Sequence, residues 1–219
     1  MGGERGFLRR NEYKITCVMF KTKSQKKELA GEIMNEVIKN IQERRSVRSF
    51  TDDPVRDEDI ATILECAKLA PSAIDGQPWF FTVMRDRALM DEISEMNKKL
   101  MLASGDPLMI KMASEPKFDS FCSAKTAIII SSETKAYYGM ADCANAAMII
   151  TLVATSLGLG SCYIAGYTYV LRKPEGLAQL ARLSLPEGYR PILGVCLGYA
   201  AERPVPRKPL RSNTSAFIG

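Results

Sequence analysis

The stretch from Ala141 to Leu157 constrains the fold most, because it reads as a helix that is apolar nearly all round, with Asp142 and Asn145 near its start. A helix with no polar face has nowhere to meet water, so it belongs at the centre of a large core or in a subunit interface. A membrane span is the competing outcome. Asp142, Asn145, Thr151, Thr155 and Ser156 interrupt the stretch, whereas a spanning segment should be almost uncharged, so the core reading is preferred. Such a helix needs a partner layer, and the chain offers strands. Trp79–Met84 and Thr126–Ser132 read as strands, the latter from its Ile128-Ile129-Ile130 run. A glycine-rich turn, Gly158 to Ser161, leads into a strand expected over Cys162–Tyr167, and another is expected over Ile192–Tyr199.

Helices fill the remainder. Leu29, Ile33, Val37 and Ile41 recur every fourth residue, which predicts an amphipathic helix over 28–44. A second is expected from Asp57, with Ile60, Ile63, Leu64 and Ala67 on one face, ending before Pro71. A short one is expected near Pro174–Leu183. Residues 86–118 are Met-rich and charged, with breaks at Gly105-Asp106-Pro107 and Glu115-Pro116, and read as a lid-like insertion, a mobile cover rather than core. With 219 residues, one domain over 28–199 is expected. Residues 1–27 read as a basic N-terminal extension open to disorder, and 200–219, with Pro204, Pro206 and Pro209, as an extended arm that is disordered or laid across a partner subunit.

Composition then removes function classes. The chain has no histidine, which excludes Ser-His-Asp and Cys-His catalysis, His-based zinc sites and an imidazole proton shuttle. An enzyme of this composition depends on a bound cofactor. The six cysteines form no Cys-x-x-Cys pair, so no zinc ribbon is expected, and their apolar settings suit a reducing cytosol. The net charge of +5 sits on the two ends and leaves a mildly acidic body, which argues against a nucleic-acid-binding face. Neither the Gly-x-Gly-x-x-Gly turn nor a phosphate loop ending in Gly-Lys-Ser/Thr is present.

Chemistry concentrates in three stretches. Arg44, Arg45, Ser46 and Arg48 fall within five residues at a helix end. Their guanidiniums suit bidentate capture of a phosphate, and the competing reading is a solvated basic helix end. Pro71–Trp79 offers Ser72, Asp75 and Gln77 on a backbone fixed by two prolines, although serine favours such turns without any ligand. Gly158–Gly166 lets backbone amides approach a flat ligand. Cys162, with no second cysteine nearby in sequence, reads as inert packing. Asp142 reads as a helix-start carboxylate serving first-turn amides.

Together these stretches resemble the FMN-dependent nitroreductase-like flavoproteins. The family's Arg-Arg-Ser-x-Arg-x-Phe is matched by Arg44–Phe50, and its Ala-Pro-Ser-x-x-Asn-x-Gln-Pro-Trp by Ala70–Trp79. Its Gly-Leu-Gly-Ser-x-x-Ile is matched by Gly158–Ile164, and its closing Gly-Tyr with a Pro/Lys/Arg tail by Gly198–Lys208. The resemblance implies an α+β fold, a three-layer α/β/α arrangement around a mixed, mostly antiparallel sheet, with FMN at a homodimer interface. It implies that Arg44, Arg45, Ser46 and Arg48 hold the FMN phosphate and the polar ring edge, joined by Arg207 or Lys208 from the tail. Ser72 would act from the partner subunit, Asp75 and Gln77 would sit by the ribityl chain or ring, and Ile164, Ala165 and Gly166 would face the isoalloxazine. Asp75 stands where asparagine is usual, and Ala165 where some members carry an acid. The implied activity is a cytoplasmic oxidoreductase passing hydride from NADH or NADPH through the flavin to a nitroaromatic or quinone, in two half-reactions. A specialised relative of the dehalogenating or flavin-destructing kind and a flavin-binding protein with little turnover are the alternatives.

Overall fold

The computed structural model describes residues 35–212 and 214–218. The 1–27 extension and the first part of the helix expected over 28–44 lie outside the described residues. Contacts divide the chain into two units, Met1–Lys39 and Asn40–Gly219. Helix α1 spans Glu36–Glu43.

Within the second unit the elements run α2 (Asp57–Ala67), β1 (Trp79–Met84), α3 (Arg87–Leu102), α4 (Pro107–Ala113), β2 (Thr126–Glu133), α5 (Gly139–Ser156), β3 (Gly160–Ile164), α6 (Leu177–Arg182) and β4 (Tyr189–Gly198). The four strands form one antiparallel sheet in the order β1-β2-β4-β3. A parallel bridge between Ser46 and Ser161 adds the arginine segment beyond β3, which makes the sheet mixed at that edge.

Alternation along β2 and β4 sorts side chains onto two faces. Ile128, Ile130, Val195 and Leu197 point to one side, where Ile60, Ile63 and Ala67 of α2 and Cys143, Ala146, Ala147, Ile150 and Ala154 of α5 complete a core. Ala127, Ile129 and Cys196 point to the other, against Leu89, Met90 and Ile93 of α3 and Tyr167, Val170 and Leu171. The result is three layers, helix on sheet on helix. The small residues of α5 allow it to lie close to both α2 and the sheet, which answers the constraint its composition sets.

Two expectations are corrected here. Residues 86–102 are core rather than cover: Asp86 caps α3 by accepting from the Leu89 amide at 3.0 Å, and Leu89, Met90 and Ile93 are buried. The strand expected to reach Tyr167 stops at Ile164, because the Thr168 amide and hydroxyl both donate to the Ala165 carbonyl, at 3.0 and 2.9 Å. That closes a 3-10 turn over Gly166–Arg172. The helix expected near Pro174–Leu183 is a 3-10 turn, Pro174–Gly176, followed by α6.

Candidate functional site

The arginine segment leaves α1 and runs along β3. The Val47 amide donates to the Ser161 carbonyl at 2.9 Å, and Thr51 donates to Tyr199 at 2.8 Å. Close seating depends on Gly160, where an added Cβ would lie 2.9–3.0 Å from the Val47 side chain. Gly158 supplies the preceding turn with φ +75°, where the chain leaves α5 and the Leu159 amide donates back to the Ala154 carbonyl at 2.8 Å. These contacts point successive residues in different directions. Val47 is buried, while Arg48 is exposed and lines a cleft of about 700 Å³.

That cleft also contains Ile164, Ala165 and Gly166, so the structure brings these four expected residues together. At Gly166 an added Cβ would meet only the Asn97 Nδ2, at 3.9 Å, so the backbone faces open space. Arg44, Arg45, Ser46 and Arg207 form an adjoining group outside the cleft lining. The Arg45 guanidinium donates to the Val205 carbonyl. Arg207 donates to the carbonyls of Gln42 and Arg44, at 3.2 and 3.0 Å. The tail thus lies over the arginine segment of its own chain, and Arg207 has taken its place in the cluster. Among the described residues, none of these four arginines pairs with a carboxylate. Guanidiniums gathered in this way, with no carboxylate partner among the described residues, have the chemistry to take an anion.

Ser72, Asp75 and Gln77 do not reach the cleft. They form a self-bonded loop: the Gln77 amide donates to Ser72 Oγ and Gln77 Nε2 donates to Asp75 Oδ1, both at 3.0 Å. Ile74, Asp75 and Gln77 all have positive φ (49°, 55° and 44°), a backbone that such residues adopt only when neighbours hold them there. Helix α5 does so. Asp142 Oδ1 accepts from the Ala73 amide at 3.1 Å, and Asn145 Nδ2 donates to the Pro71 carbonyl at 3.0 Å. Asp142 therefore serves the loop rather than the first-turn amides of its own helix.

The rest of the cleft comes from residues that sequence reasoning missed: Asn97 and Met101 of α3, Met112 of α4, and the segment Glu115–Ser120 with Cys122. Asp119 organises that segment. It pairs with Arg87 at 2.7 Å and accepts from the amides of Phe121 and Ser123, at 2.9 and 2.7 Å. Burial would raise its pKa, yet these donors hold it below the ordinary carboxylate value. The arrangement sets Cys122 with its Sγ 3.8 Å from that of Cys162. Cys162 therefore has a second cysteine beside it, contrary to the reading from its sequence neighbours. The bond from Cys122 lowers its thiol pKa to about 7, against burial and with help from the Arg48 charge. Donating that bond, together with burial, raises Cys122.

Comparison with known proteins places this geometry. The family model described as Nitroreductase family matches residues 41–199. The chain is 34% identical over 191 residues to the FMN reductase (NAD(P)H) of Bacillus subtilis, covering 80% of this chain and 71% of that one. A crystal structure of a nitroreductase with bound FMN from Bacteroides fragilis superposes with a TM-score of 0.77 at 30% identity, covering 85% of this chain and 100% of that one. One from Desulfitobacterium hafniense, also with bound FMN, gives 0.79 at 27% identity, covering 85% and 100%.

Proposed function

The chain belongs to the nitroreductase family, and we propose from that premise that it is an NAD(P)H-dependent FMN oxidoreductase. The observation that carries the reading is the arginine group, Arg44, Arg45, Arg48 and Arg207, which has no carboxylate partner among the described residues, beside a cleft lined by Ile164–Gly166 where the Gly166 backbone faces open space. The residues fit FMN. Guanidiniums match a phosphate monoester, and a cleft of about 700 Å³ lies within the range that accommodates a cofactor.

When bound, FMN would supply the chemistry the side chains lack, hydride transfer between NADH or NADPH and an electron-poor acceptor such as a nitroaromatic or quinone. The chain's own part is to bind and orient. Arg44, Arg45 and Ser46 take the phosphate, with Arg207 closing from the tail. Arg48, which lines the cleft, would offer positive charge to the polar edge of a bound ring. The 164–166 segment would shape the ring's bed, and Met101 and Met112 line an adaptable opening for donor and acceptor in turn. Residues 103–118 form the rim that sets acceptor choice.

A homodimer with shared sites completes the reading. Ser72, Asp75 and Gln77 lie away from their own chain's cleft, on a loop where Ile74 is 101% exposed. On that loop they are available to a partner subunit. Five free cysteines among the described residues support a cytoplasmic setting.

The test is a visible spectrum of purified protein before and after anaerobic NAD(P)H. A yellow protein that bleaches and regains colour with a nitroaromatic or quinone supports the reading. A colourless protein that cannot be reconstituted with FMN overturns it, and a yellow one that never bleaches limits it to flavin binding.

A further inference from the structure

Cys122 and Cys162 are separated by forty positions, yet their sulfurs lie 3.8 Å apart on the wall of the cleft. Each is held there by separate machinery. Cys162 is on β3, fixed by pairing to β4. Cys122 rides on the Asp119 segment, its amide donating to the Asp119 carbonyl at 3.1 Å. Cys122 and Ser123 both sit at positive φ, 55° and 57°. Two consecutive non-glycine residues in that region represent stored strain, which persists only where the surroundings enforce it and gathers at functional positions. The Arg48 guanidinium faces the pair from the arginine segment. Cys196 is buried and opposite Cys162 in the sheet, and Glu115, Lys117, Asp119, Tyr163 and Tyr167 are the other titratable side chains on the cleft wall around the pair.

We propose that Cys122 and Cys162 form a redox-active dithiol opening on the cleft, a modification site for small hydroperoxides. The Cys162 thiolate, held chiefly by the hydrogen bond from Cys122 with Arg48 assisting, attacks the peroxide O–O bond. A sulfur–oxygen bond forms, the O–O bond breaks, and the distal oxygen leaves as water or alcohol with one proton. Cys162 is now a sulfenic acid. The Cys122 sulfur then attacks it, an S–S bond forms, the S–O bond breaks, and hydroxide leaves with the Cys122 proton as water. Two thiols are oxidised to one disulfide and one peroxide is reduced by two electrons. A small dithiol reverses the change by exchange.

The geometry supplies what this sequence of steps needs. A thiolate is the reacting form, and cationic surroundings favour it. A resolving thiol in contact spares the sulfenic acid from further oxidation. A disulfide requires the sulfurs at about 2 Å, so closure asks for a side-chain rotation and a small relaxation of the strained Cys122 turn. Neither cysteine needs a flavin for this chemistry, so its test is separate from that of the cofactor.

The full chain is reduced, freed of reductant and treated with equimolar hydrogen peroxide at neutral pH, with and without FMN. The wild-type protein is expected to lose two hydrogens in intact mass, to show Cys122 joined to Cys162 on peptide mapping, and to recover with dithiothreitol. Cys122→Ser should instead trap a single dimedone adduct on Cys162. An unchanged mass, a disulfide joining Cys162 to Cys196, or a dimedone adduct on another cysteine would overturn the proposal. Because the wild-type map stands alone, a poorly folded variant does not weaken the test.

Discussion

Arg48 and Cys162 show how one residue's chemistry depends on a neighbour the sequence keeps far away. The Cys162 thiol pKa is lowered to about 7 chiefly by the hydrogen bond from Cys122, with Arg48 assisting and burial opposing. A thiol alkylates as its thiolate. Below that value the Cys162 proton is on and iodoacetamide should react slowly; above it the rate should level off. Cys122→Ala removes the donor and keeps Arg48, so the midpoint should move up toward the ordinary thiol value. Mass-resolved alkylation of Cys162 across pH measures both curves, and coincident curves would sink the assignment. Arg207 makes a second residue-scale prediction. Among the described residues its guanidinium bonds carbonyls alone, at 3.0 and 3.2 Å, so these contacts orient it without neutralising it. Arg207→Ala should weaken FMN binding by about tenfold to a hundredfold, as expected for one charge-assisted contact of about 1.5–3 kcal/mol. Fluorescence titration of the apoprotein with FMN reads this directly.

At the scale of elements, the seating of the arginine segment on β3 is the joint between fold and site. Gly160→Ala would place a methyl within 2.9–3.0 Å of Val47 across that joint. Overpacking of this kind costs about 1–3 kcal/mol. Because the displaced segment carries Arg44–Arg48, FMN affinity should fall along with the melting temperature. A variant that melts lower yet binds FMN as tightly would show that the bridge does not position the clamp. The strands and α5 were legible because apolar runs of the right length have few other uses, and the arginines because their spacing is unusual. The burial of helix α3, not its being a helix, was misread, because Glu92, Glu95, Lys98 and Lys99 mask the buried Leu89, Met90 and Ile93. Tyr167-Thr-Tyr-Val-Leu171 has strand composition, and only the bonds from Thr168 to the Ala165 carbonyl turn it into a 3-10 turn. The Cys122–Cys162 contact had no local signal at all, since it exists only after the Asp119 segment folds against β3.

At the scale of the whole molecule, the loop 71–77 points to a second copy of the chain. Ile74 is fully exposed and held at φ 49°, a conformation an isoleucine resists. The loop is anchored to α5 at Asp142 and Asn145, and Tyr138, Met140 and Met148 are exposed on and beside that helix, at 56%, 67% and 53%. Strain and exposed apolar surface both cost stability in an isolated chain, and both are offset if a second copy covers this side. The same association would carry Ser72, Asp75 and Gln77 toward the partner's cleft. Light scattering should therefore give twice the 24.3 kDa chain mass for the wild-type protein. Ile74→Glu combined with Met148→Glu puts charge into the contact and should yield a folded single chain, with far-ultraviolet circular dichroism unchanged. If the sites are shared, that single chain loses FMN at concentrations where the dimer keeps it, because part of each binding surface has left. A single chain that retains FMN would assign the whole site to Arg44–Arg48, 164–166 and Arg207 and leave the 71–77 loop no part in binding.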